Sequence, residues 1–564
     1  MGSFYQETLP FQHPEEIEQK LIQLLTRDIE SSEELEQWLI DQSDLYDQLE
    51  EGLTGHYIDF QCQSDSEEAK KAFEHDQTII EPILKKYEAE LDDKFLKSPY
   101  VDSLHKEKYA RLIRSKQNAQ QLFRSENIEL EVQENKLSTD YFEHTGGLMV
   151  DWHGKESTLS EIAVHLQDEE RETRKLAYEK NGSAYQSVKD ELQTIMNELI
   201  AIRQQKAKNA GLDNYRDYMF KKYERFDYTA EDCHTLADAV QKHVTPLKES
   251  IQKKHQSELG VDTYRPWDTK AVLPGQTPLQ PFQDRDELVN TSHSIFQQLD
   301  ERFSGLLSTM DERGMLDLTT RKGKAPGGFC APLPVSGLSF IFMNAATTQD
   351  DMITLLHEMG HCIHNDLKRH LPLAVYRDTP MESSELASMT MELFTMDKWD
   401  QFYSNHEDLN RAKKEHLEGI IQFLPMGIAV DQFQHWLYEN PTHTAEERNA
   451  KFFELQKKLN GETVDWSDYE QYAENSWLRI LHIFEVPFYF IEYVIAQLGA
   501  LQMFKQYREN PDQALANYKQ ALSLGNTGSL FDIYEAAGIS FDFSSEKIQE
   551  LMTFLQDELQ KVSS

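Results

Sequence analysis

Thr354–His364 reads TLLHEMGHCIH, and the fold turns on how this stretch is interpreted. His357 and His361 stand one helical turn apart, with Glu358 directly after the first of them. On a helix four residues rise about 6 Å and turn about 400°, so both imidazoles lie on one face. That geometry suits two nitrogen ligands of a single Zn²⁺, each at about 2.0–2.1 Å. Glu358 lies about 100° further round and can face a water instead of the metal. Hydrolysis of a peptide bond uses such a division: the cation polarises the carbonyl and acidifies water, while a carboxylate takes and returns a proton. The alternative is a solvated helix face that carries two histidines by coincidence. The apolar MITLL that precedes His357 argues for a buried helix instead.

Working outward, a catalytic zinc needs a third protein ligand and an open fourth position. Six residues beyond His361 stands Leu367, so no third histidine follows at that spacing. After a break at HLPLAVYRDTP comes MESSELASMTMELF, a helical stretch with Glu382, Glu385 and Glu392. Glu385 and Glu392 share a face, whereas Glu382 is turned by about 60° from Glu385. Spacing alone leaves Glu382 and Glu385 in competition for the metal, and a remaining carboxylate could orient an imidazole from behind. Cys362 points about 100° away from the second ligand and reads as packing. Upstream, Gly337–Asn344 (GLSFIFMN) is the clearest strand, after the punctuated RKGKAPGGFCAPLPVS. Gly327 and Gly328 would let a backbone approach a peptide chain. The strand is expected to offer free main-chain groups to that peptide, with Phe340 and Asn344 as candidate substrate contacts.

The rest of the chain narrows the class. Of 564 residues 98 are acidic and 57 basic, a net charge of −41 that argues against nucleic acid and anionic membrane surfaces as partners. Only 24 Gly and 18 Pro punctuate that length, which points to a mostly helical protein. Cys62, Cys233, Cys330 and Cys362 are too few and scattered for a disulfide framework, so a reducing, cytoplasmic compartment is expected. No basic-then-apolar leader opens the sequence, and no apolar run reaches the roughly 18 residues of a membrane span. Residues 68–122 and 159–207 carry apolar positions at three- and four-residue steps, as amphipathic helices do. Asn127–Val132 (NIELEV) alternates like a short strand and runs into a turn-like NKLSTD. Tyr264–Phe282 concentrates Pro and Gly and reads as a loop: a plain structural connection first, a hinge or a cleft lining otherwise.

With these residues in hand, TLLHEMGHCIH followed by SELASMTMELF resembles the thimet oligopeptidase/oligoendopeptidase F family of zinc metallopeptidases, including its Pz-peptidase-like bacterial branch. The resemblance runs from about Arg171 to Glu558. It includes RKGKAPGGF, FIFMNAATTQDDM, DQFQHWLYENP (with Asp431, Gln434, His435 and Trp436), LHIFEVPFYFIEYVIAQLGALQ and LSLGNTGSLFDIYEAAGISFDF. It implies one Zn²⁺ per chain held by His357, His361 and Glu385, with Glu358 as general base, Glu392 in support and His364 as a neighbour. It also implies that His482, Tyr489 and Tyr493 steady the charge that develops on the attacked carbonyl. Phe490 departs from relatives that carry a second Tyr there, which leaves the choice of tyrosine open.

The implied fold is mostly α: two helical lobes enclose a deep substrate channel, with a zincin-type helix beside a small β-sheet. Residues 1–165 would form the N-terminal helical lobe and 166–560 the catalytic domain. The implied activity is endoproteolysis of short unstructured oligopeptides by a monomer or small homo-oligomer. A carboxypeptidase or dipeptidyl carboxypeptidase on the same scaffold is the alternative within enzymes, and a non-catalytic peptide-binding protein is the alternative outside them.

Overall fold

The computed structural model describes residues 4–325 and 327–563. Ser32–Cys62 (α1) runs as one long helix because the Ser31 side chain caps it and an apolar stripe through Leu35, Trp38, Leu39, Leu49 and Ile58 stays buried along its length. The core of the N-terminal lobe gathers on it, with Phe11, Trp38, Phe95 and Leu112. Seven further helices build the site and its surroundings. They are Ser125–Gly146 (α2), Lys189–Asn209 (α3), Ala230–His243 (α4), Gln349–Lys368 (α5), Met381–Thr395 (α6), His406–Glu439 (α7) and Phe490–Glu509 (α8). The last four pack into one continuous core, which α4 and the C-terminal helix also join. The chain is therefore mostly α, with two helical lobes around a deep cleft of about 1060 Å³. Tyr46, Glu50 and Glu88 line it from one lobe, and Cys330, His357 and Tyr493 from the other.

Strands are few. Met149–Trp152 (β1) and Lys155–Thr158 (β2) pair as an antiparallel hairpin. Its two-residue turn, His153–Gly154, takes positive φ at both positions, as a tight hairpin requires. Leu316–Thr319 (β3), Phe329–Leu333 (β4) and Leu338–Ala345 (β5) form the second sheet in the order β3-β5-β4. The strand expected at Gly337–Asn344 is thus present as β5, but it is the middle strand. β5 runs parallel to β3 (Leu316 beside Ile341) and antiparallel to β4 (Cys330 beside Ile341). Both rows of its main-chain groups are consumed, so it cannot offer them to a peptide. The unbroken apolar run SFIFM carried that information, because a strand flanked and covered on both sides has no polar face to alternate with.

NIELEV is not a strand: Asn127–Val132 lies within α2. The inward face of α2 carries Asn127, Glu134, Leu137 and Tyr141, at steps of seven, three and four residues, with Glu134 partly buried. Polar residues occupy half of that face, since Asn127 donates to the Lys206 carbonyl and Glu134 accepts from Arg203 and Lys206 on α3. An apolar pattern could not reveal it. The Tyr264–Phe282 segment is irregular apart from a short turn at Pro266–Asp268. It does not line the cleft; Asp268 pins it to Arg171 and Arg174.

Candidate active site

α5 starts at a reciprocal cap between Thr348 and Asp351 and buries Leu355, Leu356, Met359 and Ile363, which turns His357 and His361 toward the cleft. Gly360 lies on the side that meets α6. A Cβ there would stand 2.5 Å from Ser388 Cα and 2.7 Å from the Ala387 carbonyl oxygen, so only glycine permits so close an approach. That approach brings Glu385 to the histidines. Its Oε2 lies 3.4 Å from His357 Nε2 and 3.6 Å from His361 Nε2. Ligand atoms at about 2.0–2.2 Å from a tetrahedral zinc are separated by about 3.4 Å, so the three donors fit the ion as they stand. The two imidazole planes are nearly perpendicular, at 84°, with centroids 5.0 Å apart.

Each neighbour sets a protonation state. His357 Nδ1 lies 2.6 Å from Glu392 Oε1, which places the proton on Nδ1 and aims the Nε2 lone pair inward. Burial opposes a charged His357, but Glu385 and Glu392 outweigh it and raise the imidazole well above its ordinary range. A cation held between the three donors would take the place of that second proton. Burial brings His361 down to about 4, so it is neutral and ready to ligate. Burial also works against a charged Glu385, yet His361, His357 and the Tyr489 hydroxyl together bring it down to about 2. Glu358 is 6% exposed, and its Oε2 makes no hydrogen bond. Burial pushes it up to about 7, with Glu385 and Glu392 adding to the rise and His357 opposing it.

Of the other expected residues, Tyr489 and Tyr493 line the cleft beside the histidines. The Tyr489 hydroxyl donates to Glu385 Oε1 at 2.9 Å, and Tyr493 Oη lies 3.3 Å from His482 Nε2. His482 stands behind Tyr493 and does not itself line the cleft. His364 lines the cleft and is held neutral by burial, with Lys368 and His361 adding to the effect. Among the glycines, Gly328 lines the cleft and Gly327 does not. Phe340 and Asn344 are not on the cleft wall either. Phe340 is 3% exposed and packs on Phe4, while Asn344 donates to the Ala325 and Gly327 carbonyls and so holds the glycine loop in shape. β4 borders the cleft through Phe329, Cys330, Pro332 and Leu333, and β5 reaches it only at its start, through Leu338 and Ser339. Cys362 is buried but reaches the cleft wall beside Cys330, the two sulfurs 3.5 Å apart.

Glu382, the rival ligand, faces away: it accepts from the Tyr228 hydroxyl at 2.6 Å and lies 3.9 Å from Arg225 Nε. One further residue of the site carries no signal in the sequence. His416 on α7 places Nε2 3.5 Å from Glu392 Oε2, on the side opposite His357, and nothing in local spacing announces it.

The profile of peptidase family M3 matches residues 164–553, and that of the peptidase M3 N-terminal domain matches residues 7–123. The chain belongs to peptidase family M3. Group B oligopeptidase PepB of Streptococcus agalactiae is 25% identical over 317 residues, 55% of this chain and 51% of that protein, so the alignment spans only half of PepB. An oligoendopeptidase F homolog of Lactococcus lactis subsp. lactis is 21% identical over 480 residues, covering 81% of this chain and 73% of that protein. A solved structure of Pz peptidase A with an inhibitor superimposes with a TM-score of 0.92 at 25% identity, over 99% of this chain and 98% of the other. Oligoendopeptidase F of Enterococcus faecium shares the fold at a TM-score of 0.67 and 15% identity, with 98% of both chains covered. In this M3 chain no helix among the described residues is long and apolar enough to cross a membrane.

Proposed function

We propose that this M3 peptidase is a zinc-dependent oligoendopeptidase that hydrolyses internal bonds of short, unstructured peptides in the cytoplasm. The observation that carries the proposal is the convergence of His357 Nε2 and His361 Nε2 on one oxygen of Glu385, with the unpartnered Glu358 carboxylate alongside. Those three donors would hold one Zn²⁺. Bound there, the ion would polarise the scissile carbonyl and acidify a water. Glu358, pushed up to about 7, is matched to taking the proton of the attacking water and handing it to the leaving amine near neutral pH. Tyr489 is engaged with Glu385, which leaves Tyr493, with His482 behind it, as the hydroxyl donor to the carbonyl oxygen. β4 borders the cleft as an edge strand, where an extended peptide could pair main chain to main chain with little side-chain selectivity. An enclosed cleft between lobes favours short peptides over folded proteins.

Glu358→Gln tests the mechanism. It should retain zinc by elemental analysis while turnover of a quenched short peptide falls by about 10²–10⁴-fold, the usual worth of a positioned proton-transfer group. Near-normal turnover with zinc bound would sink the assignment.

A further inference from the structure

We propose a second divalent-metal site in this chain, formed by Cys233 on α4 with Asp431 and His435 on α7, structural in role and suited to Zn²⁺. None of the three lines the catalytic cleft. One donor atom from each lies within 4.8 Å of the other two, and all three side chains are buried.

These groups are short of partners. Asp431 is 0% exposed; its Oδ2 accepts from Gln432 Nε2 at 3.1 Å, but Oδ1 has no hydrogen-bond partner. His435 is 1% exposed, and neither ring nitrogen makes a hydrogen bond. Its Nε2 stands 3.3 Å from Asp431 Oδ2, which is the only ion pair of Asp431 among the described residues. Phe220 and Phe488 present ring edges to the imidazole at centroid distances of 6.0 and 5.5 Å, so no other polar group is offered on those sides. A buried carboxylate oxygen and two ring nitrogens left unsatisfied are costly, unless one electrophile serves them together.

Cys233 supplies the third donor, and its chemistry selects the ion. A thiolate, an imidazole and a carboxylate form a mixed sulfur, nitrogen and oxygen set that suits zinc better than magnesium or calcium, which take oxygen donors. The bond forms as the thiol proton leaves to solvent, so charge balances without any change of oxidation state. Burial raises the thiol well above its ordinary range, which means that the proton leaves only in exchange for a cation. Toward solvent a second group adjoins these donors and shares His435 with them. His234 and Glu439 form a second ligand group with His435, and the His234 ring lies 4.9 Å from the His435 ring. Gln432 Oε1 holds His234 Nδ1 at 2.7 Å, which fixes that nitrogen as a donor and frees Nε2 to ligate.

Three buried protein donors set away from the cleft point to a structural role for the ion. Here it would tie α4 to α7 beside the segment that carries Tyr489: the neighbouring Gln434 accepts from the Phe488 amide at 2.7 Å, and Phe488 packs on His435.

The test uses the full chain, stripped with a chelator and reloaded with Zn²⁺ alone, or with Co²⁺ as a spectroscopic probe. The wild type should bind a second equivalent of zinc, and Glu385→Gln should still bind one. Co²⁺ should produce a thiolate-to-metal charge-transfer band, which His357, His361 and Glu385 cannot give because they contain no sulfur. Cys233→Ser should lose the band and one equivalent, while Cys362→Ala keeps both. A single equivalent in the wild type together with none in Glu385→Gln overturns the proposal, as does a band that survives Cys233→Ser. Should Cys233→Ser fail to fold, the metal counts on the wild type and Glu385→Gln decide the question. Those counts also separate this site from the catalytic one: loss of the catalytic equivalent alone leaves the thiolate band in place.

Discussion

Glu382 and Glu385 stand three residues apart on α6, both buried, yet one meets an arginine and the other two histidines. On the arginine side Arg225 donates to Glu492 at 2.7 Å and lies beside Glu382, while Tyr228 donates to Glu382. A guanidinium cannot give up its proton, so Arg225 is a fixed cation between the two acids; burial and Glu382 still push the Glu492 carboxyl well above its ordinary range, with Arg225 opposing the rise. On the histidine side Glu385 and Glu392 face His357, His361 and His416, rings that can exchange a proton for a cation. About 60° of helix rotation thus separates a structural ion cluster from a site open to chemistry. Buried acid is common to both; what differs is whether its partner can leave.

The sharpest way to break that contrast is to neutralise each glutamate in turn. Glu385→Gln should lose the equivalent of zinc held with His357 and His361 and reduce peptide turnover to background, and Glu382→Gln should keep that equivalent. Elemental analysis alongside a quenched-peptide assay reads both. The reverse pattern would make Glu382 the ligand and void the distinction. Next in size, Arg225→Met removes the fixed cation and strands Glu382 and Glu492 in the interior. Breaking a buried pair in this way costs about 3–5 kcal/mol, visible as a large drop in chemical-denaturation midpoint. A loss below about 1 kcal/mol would mean that the arginine side is not held by charge at all.

Smaller again is Glu392→Gln. Glu392 touches no metal but fixes the tautomer of His357 through Nδ1, with His416 on its other oxygen. Groups in this position are worth about 10–100-fold in metal affinity, so zinc should bind that much more weakly in a competition titration while the count at saturation is unchanged. An unaltered affinity would show that His357 is oriented by packing alone.

The parts of this architecture that were legible in the sequence are those written within one helical turn. His357, Glu358 and His361 share α5, so their spacing alone predicts a common face. The carboxylate pair Glu385 and Glu392 was legible for the same reason, but the choice between Glu382 and Glu385 was not. It depends on how α6 rotates against α5, and that is decided by the close backbone contact at Gly360. His416 was invisible because it arrives from α7, whose orientation only tertiary packing determines. The strand at β5 was legible, while its partners were not, since pairing is a non-local property. The helix over Asn127–Val132 is hidden in the sequence because the inward face of α2 is half polar, and apolar periodicity is silent about ion pairs.

That polar face offers the last and smallest test, and it extends the contrast to a third cluster. Glu134 on α2 accepts from Arg203 Nε at 2.6 Å and Lys206 Nζ at 2.7 Å, an arrangement of the arginine kind, far along the chain from His357 and His361. Burial opposes its charge, but Arg203 and Lys206 overcome that and hold the carboxyl well below its usual value of 4.5. A carboxylate depressed on folding stabilises the protein fully above its unfolded pKa and loses that contribution as pH falls toward the folded one. Hydrogen-exchange protection of α2 in the wild type should therefore exceed that in Glu134→Gln by a constant margin above about pH 5. Below about pH 4 the margin should shrink, by no more than about 1.4 kcal/mol per pH unit for a single group. A margin that stays flat down to pH 3 would remove Glu134 from the clusters that fixed cations hold, and the likeness to the Arg225 side of α6 would fail with it.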